Sequence, residues 1–198
     1  MANLITLARM LLVFVVVALL HFRTTGVYLS AAALTVLIIV MDGVDGYVAR
    51  RRKECSKFGA VADILGDRVV EMTYWIIFAV FGWVPAWIPI IVAARGIIVD
   101  GVRSMALERG LTAFGATSMM RTRLGGLLVS SRFSRAAYGT AKAVAFPTMI
   151  LLFTPGLLGM LGAGLHTIAY LSVYATVAFC IIRGTPVLFE ARRLVASG

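Results

Sequence analysis

The chain has 198 residues, of which 61% are hydrophobic and only 14% charged, yet its formal net charge is +10. Soluble domains run nearer half apolar and a quarter charged, so the composition speaks against a soluble globular protein. It speaks equally against a basic disordered tail, which would lack the apolar residues. With a pI of about 10.4, the excess charge points to anionic lipid or phosphorylated substrates rather than to nucleic acid.

At about 20 residues per membrane crossing, the length is better counted in spans than in soluble domains. Apolar runs predict six helices in one domain covering 1–198, an all-α integral membrane protein. They run from Leu4 to His21, Val27 to Val48, Phe58 to Val80, Ala86 to Leu107, Arg135 to Phe153 and Thr167 to Phe189. Gly82 and Pro85 punctuate one gap, and Thr154, Pro155, Gly156 and the glycine-rich stretch to Gly164 another, with Gly162 and Gly164 read as an outer loop. The run from Ile5 to Leu20 is long and no small-residue cleavage site follows it, which argues against a cleavable signal. Leu111 to Phe133 has weak periodicity, compatible with a helix lying on lipid headgroups.

Loop charge sets the orientation. Arg50, Arg51, Arg52, Lys53 and Lys57 follow the second helix; Arg109, Arg121, Arg123, Arg132 and Arg135 follow the fourth; Arg192 and Arg193 lie in the tail. The alternate loops offer Arg23 alone. The positive-inside rule therefore puts both termini and the two basic loops in the cytoplasm. Trp75, Trp83 and Trp87 read as lipid-interface anchors, and Cys55 and Cys180 do not build a disulfide framework.

Among the charged residues inside the apolar runs, eleven stand out: Arg9, Asp42, Asp45, Asp63, Asp67, Arg68, Glu71, Arg95, Asp100, Arg103 and Lys142. Each costs about 2.5–3.5 kcal/mol at a helix centre. All fall toward the cytoplasmic helix ends, which implies a polar cavity in the cytoplasmic half of the bundle. Asp42, Asp45 and Ala49 stand at i, i+3 and i+7 on one face, and Asp63 and Asp67 at i and i+4. Gly46, Ala49 and Gly59 are small enough to let helices approach closely. Four converging carboxylates repel one another unless a cation intervenes, and hard divalent ions suit them, one or two Mg²⁺ or Mn²⁺. With metal the layer becomes cationic and wants phosphate. Arg68 and Glu71 also form a self-neutralising i, i+3 pair, as do Asp100 and Arg103. A purely structural role for the aspartates would pair them with Arg50, Arg68 or Arg95.

Asp42-Gly-Val-Asp45-Gly46-Tyr-Val-Ala49-Arg50, eight residues, Gly59, three residues, Asp63, three residues, Asp67 resembles the signature of the CDP-alcohol phosphatidyltransferases, D-x-x-D-G-x-x-A-R-x8-G-x-x-x-D-x-x-x-D. Asn3, Thr6 and Arg9 resemble the family's N-x-x-T-x-x-R opening. The resemblance implies transfer from CDP-diacylglycerol to an alcohol with release of CMP, at a cytoplasmic-membrane site, by a homodimer. Carried over, it implies that Asp42, Asp45 and Asp63 hold the metal ions. Asp67 takes the acceptor's proton and also touches metal. Asp42, Asp45, Thr6, Gly46, Ala49, Arg50 and Gly59 then belong to the CDP site.

The fourth-helix segment Arg95-Gly96-Ile97-Ile98-Val99 with Arg103 resembles that of the glycerophosphate-using branch, although Gly96 stands where that branch has glutamate. A phosphorylated acceptor fits Arg95, Arg103, Arg123, Arg132, Arg135 and Lys142. Glycerol 3-phosphate ranks first and inositol phosphate second, ahead of cationic choline or ethanolamine. An anion transporter or channel is the competing class, since buried charge also marks ion pathways. The nearly uncharged outer halves and the lack of an inverted repeat weigh against it.

Overall fold

A computed structural model describes the backbone of residues 2–52, 57–108 and 131–196. It describes their side chains except at 2–3, 44–52, 57–60, 62–63, 103, 107–108, 132–133, 158–162 and 190–196. These residues form six helices: α1 (Ala2–Leu20), α2 (Thr25–Arg52), α3 (Lys57–Val80), α4 (Trp87–Glu108), α5 (Arg132–Leu152) and α6 (Leu158–Ala196). No strand occurs among the described residues. The stretch read as a surface helix lies, up to residue 130, outside them.

The helix ends follow from local chemistry. α3 stops at a left-handed Gly82 (φ 72°). The Gly82 amide donates to the Ala79 carbonyl at 3.0 Å and the Trp83 amide to the Phe78 carbonyl at 2.8 Å, which is the Schellman closure. Its usual hydrophobic contact is present, with the Trp83 and Phe78 rings 5.2 Å apart. At the start of α5, the Ser131 hydroxyl accepts from the Ser134 amide at 3.1 Å, an N-cap. That cap starts the helix three residues before the predicted Arg135, because charged residues in a first turn carry no apolar signal. α6 begins at Leu158, so Gly162 and Gly164, expected in a loop, lie on its helical backbone. The turn is made instead by Gly156, whose φ of 77° needs a residue without Cβ.

Two compact units divide the chain. The first comprises Met1–Pro89 and Ala143–Leu171. Within it α1 packs on both α2 and α3. Its buried stripe is Thr6, Arg9, Val13, Val16 and Leu20, spaced three and four apart, while Leu4, Leu7, Leu11 and Phe14 are exposed. The polar atoms face inward and the exposed face is apolar, the reverse of a soluble helix.

The core of this unit is aromatic. Tyr74 stacks on Phe146 with centroids 4.6 Å apart, and Trp75 meets the same ring edge-on at 5.2 Å. Trp83 stacks on Phe153 at 4.7 Å, and Tyr170 donates its hydroxyl to the Trp83 carbonyl at 3.1 Å. Trp75 and Trp83 are thus buried, and only Trp87 stands exposed as an interface anchor would. Two buried hydroxyls find partners: Tyr74 donates to Thr35 Oγ1 at 2.9 Å, and Thr35 to the Ala31 carbonyl at 2.8 Å.

The second unit comprises Ile90–Lys142 and Ser172–Gly198. Here α6 buries Val173, Thr176, Val177, Cys180, Arg183 and Val187 and exposes Tyr174, Ile181, Ile182, Leu188 and Phe189. Again a basic residue occupies the buried stripe while apolar side chains face out.

By length and composition, two described helical stretches can cross a membrane, Thr25–Gly43 and Ala163–Phe189, and Leu4–Leu20 is a shorter apolar helix. α3, α4 and α5 carry more charged residues along their length, among them Asp67, Arg68 and Glu71, Arg95 and Asp100, and Arg135 and Lys142, which lowers their mean apolarity.

Candidate active site

α1 organises the acidic site. Arg9 is 2% exposed, and its guanidinium pairs with Asp42 of α2 through Nη1 and, at 2.9 Å, with Asp67 of α3 through Nη2. Two carboxylates 25 residues apart in sequence are thereby held on one guanidinium. Asp42 and Asp67 themselves remain 51% and 48% exposed, so a ligand can reach the acids while the arginine stays covered.

The arrangement depends on a close helix contact one turn away. Thr6 is buried on the Arg9 stripe. A Cβ placed on Gly66, the residue before Asp67, would come within 2.5 Å of Thr6 Cγ2. Only glycine lets α3 approach α1 so closely. Beyond Asp67, Arg68 Nη1 lies 3.8 Å from Glu71 Oε2, and Glu71 is buried. The i, i+3 pair expected from sequence is present.

The remaining members of the acidic set are placed by backbone alone. Asp45, Gly46, Ala49 and Arg50 lie on α2, and Gly59 and Asp63 on α3; their side chains lie outside the described residues. Among the described residues no three His, Cys, Asp or Glu side chains form a metal-holding group. The chemistry of the donors still fits a hard divalent ion: Asp42 and Asp67 offer carboxylate oxygens that are half open. Asp42 and Asp67 are the described residues that could hold it.

The second unit gathers basic residues. A Cβ on Gly184 of α6 would lie 2.8 Å from Arg95 Cγ and 3.4 Å from its Nε, so the Arg95 side chain of α4 runs against Gly184. Arg95 Nε is buried with no hydrogen-bond partner among the described residues. Arg183, next to Gly184, donates from Nη1 to Ser134 Oγ at 3.0 Å and lies over the Tyr138 ring at 5.8 Å. Lys142 Nζ approaches the same ring at 4.7 Å. Arg135 is exposed on α5. The side chains of Arg103 and Arg132, and all of Arg123, lie outside the described residues.

Two features escaped the sequence reading. Arg183 was not singled out, although a lone arginine inside the sixth apolar run is the same signal that marked Arg95. The partnership of Arg9 with Asp42 and Asp67 had no local signal, because spacing shows which residues share a helix face but not which helix lies opposite.

Comparison with known proteins identifies the family. The CDP-alcohol phosphatidyltransferase family pattern matches residues 1–182. A Bacillus subtilis protein named CDP-diacylglycerol--glycerol-3-phosphate 3-phosphatidyltransferase is 32% identical over 83 residues, 42% of this chain and 43% of that protein. A Pseudomonas fluorescens protein of the same name is 28% identical over 116 residues, covering 57% and 59%. A Mycobacterium tuberculosis protein named putative cardiolipin synthase is 31% identical over 97 residues, covering 49% and 46%. The matches thus span about half the length of these curated relatives. With the family pattern covering most of its length, the chain belongs to the CDP-alcohol phosphatidyltransferases.

Proposed function

We propose that this protein transfers the phosphatidyl group of CDP-diacylglycerol to glycerol 3-phosphate, releasing CMP. The observation that carries the reading is the convergence of Asp42 and Asp67 on Arg9 from three helices, with both carboxylates half open. On this reading the chain crosses the cytoplasmic membrane six times as a homodimer, with both termini and a polar cavity on the cytoplasmic side.

The acceptor hydroxyl oxygen bonds to the lipid-side phosphorus as the bond from that phosphorus to the bridging oxygen breaks. CMP departs with the electron pair, and the hydroxyl proton passes to Asp67. No enzyme nucleophile is needed. A bound Mg²⁺ or Mn²⁺ pair supplies neutralisation of the diphosphate and of the leaving group. Thr6, Gly46, Ala49, Arg50 and Gly59 bind and orient the CDP moiety.

Arg95, Arg103, Arg123, Arg132, Arg135 and Lys142, joined by Arg183, hold the acceptor phosphate. The buried Arg95 Nε supports this assignment, since a phosphate oxygen would satisfy it. A phosphorylated acceptor is further supported by the two relatives named for glycerol 3-phosphate. A second reading, cardiolipin formation, is favoured by the name of the mycobacterial relative.

The test is CMP release by purified protein from CDP-diacylglycerol with glycerol 3-phosphate, inositol phosphate, phosphatidylglycerol or choline. Release with glycerol 3-phosphate alone is expected. Release with another acceptor alone would reassign the substrate, and no release with any would reopen the transporter reading.

A further inference from the structure

Arg9 stands apart from the other basic residues of the polar layer. It is almost wholly covered, it comes from a helix that carries none of the four aspartates, and it engages the Oδ1 atoms of two of them. Its position is held by packing on both sides: Thr6 a turn before it sits against Gly66, and Val13 a turn after it is buried. A guanidinium is always charged and forms forked, charge-assisted bonds to carboxylates. It therefore brings positive charge to Asp42 and Asp67, the same carboxylates that a divalent ion would use.

We propose that Arg9 is a built-in competitor for the divalent metal: the guanidinium and the ion hold the same two carboxylates in opposition, so metal loading loosens α1 from α2 and α3. The proposal rests on the metal reading given above and goes beyond it by assigning a counter-ion role to a residue outside the acidic set. Competition does not require the same oxygen atoms. Each carboxylate has a second oxygen, but a cation and a divalent ion gathered on the same pair repel each other. Coupling of this kind is reciprocal. Whatever factor Arg9 takes from metal affinity, the metal takes from the hold of Arg9 on α2 and α3. Arg9 is a positioning residue on this view.

The test titrates Mn²⁺ into the full-length protein in detergent, following free Mn²⁺ by its paramagnetic resonance signal, for wild type, Arg9→Gln, Arg9→Lys and Asp42→Asn. Arg9→Gln should bind Mn²⁺ about tenfold more tightly than wild type, a factor typical of coupled sites. It should also melt at a lower temperature without metal. Arg9→Lys keeps the charge but loses the fork, and should fall between the two. It carries the test alone if the glutamine variant does not fold. A merely structural Arg9 would lower the melting temperature and leave Mn²⁺ affinity unchanged or weaker. That result in both variants, with Asp42→Asn still weakening Mn²⁺ binding, overturns the proposal alone. Wild-type protein that binds no Mn²⁺ overturns the metal reading and this inference with it.

Discussion

Gly66→Ala isolates the contact on which the acidic site depends. The added Cβ would stand 2.5 Å from Thr6 Cγ2, with Met10 Sδ and Cγ at 3.7 and 3.8 Å. Carbon atoms at rest keep about 3.5–4.0 Å, so a shift of about 1 Å must come from somewhere. Met10 is flexible and already at van der Waals distance. Thr6 is β-branched, buried and limited in χ1, so α1 itself must yield.

Overpacking of this kind costs about 1–3 kcal/mol. A displacement of that size also carries Arg9, one turn along the same stripe, away from Asp67, where its bond is now 2.9 Å. The assay is thermal unfolding in detergent alongside CMP release, and both should fall. Thr6→Ser deletes the clashing methyl while keeping the hydroxyl, so Thr6→Ser/Gly66→Ala should recover about 1 kcal/mol or more of the loss, as contacting pairs do in double-mutant cycles. A Gly66→Ala protein as stable and active as wild type would refute the reasoning, as would failure of Thr6→Ser to relieve it.

Gly184→Ala makes a similar collision, 2.8 Å from Arg95 Cγ, but against a flexible side chain. Stability should hardly change, while KM for glycerol 3-phosphate rises several-fold through a displaced arginine worth about 1 kcal/mol or more in a charge-assisted bond; an unchanged KM would remove Arg95 from the acceptor site. Asp42→Asn should shift the Mg²⁺ or Mn²⁺ activation curve to higher concentration, measured as initial rate against metal. Gly139→Ala meets nothing within 4 Å on α5 and should raise the melting temperature, in keeping with about 0.5–1 kcal/mol for Gly-to-Ala in a helix. Tyr74→Phe removes a buried bond to Thr35, and chemical stability should drop by about 0.5–1.5 kcal/mol.

Much of this arrangement was legible in the residues. The third helix was predicted from Phe58 to Val80 and runs Lys57–Val80, because turn residues bracket a dense apolar run. The sixth was predicted from Thr167 and starts at Leu158. Glycine weakens a helix by only about 1 kcal/mol, and packing can override it. Tryptophan concentrates at lipid interfaces, which is what sequence alone suggests for Trp75 and Trp83, yet their rings complete an aromatic core with Phe146 and Phe153. The shared faces of Asp42 with Asp45 and of Asp63 with Asp67 needed only helical periodicity. The role of Arg9 needed the third dimension, since α1 enters the site by packing rather than by spacing.

The most direct measurement follows radiolabelled glycerol 3-phosphate into lipid with purified protein, CDP-diacylglycerol and Mg²⁺ or Mn²⁺, comparing wild type with Asp67→Asn. The account predicts a labelled phosphatidylglycerophosphate formed in step with CMP by the wild type. It predicts none from Asp67→Asn, even though that variant still binds CDP-diacylglycerol. Substantial turnover by Asp67→Asn, or CMP release without labelled lipid, would contradict it.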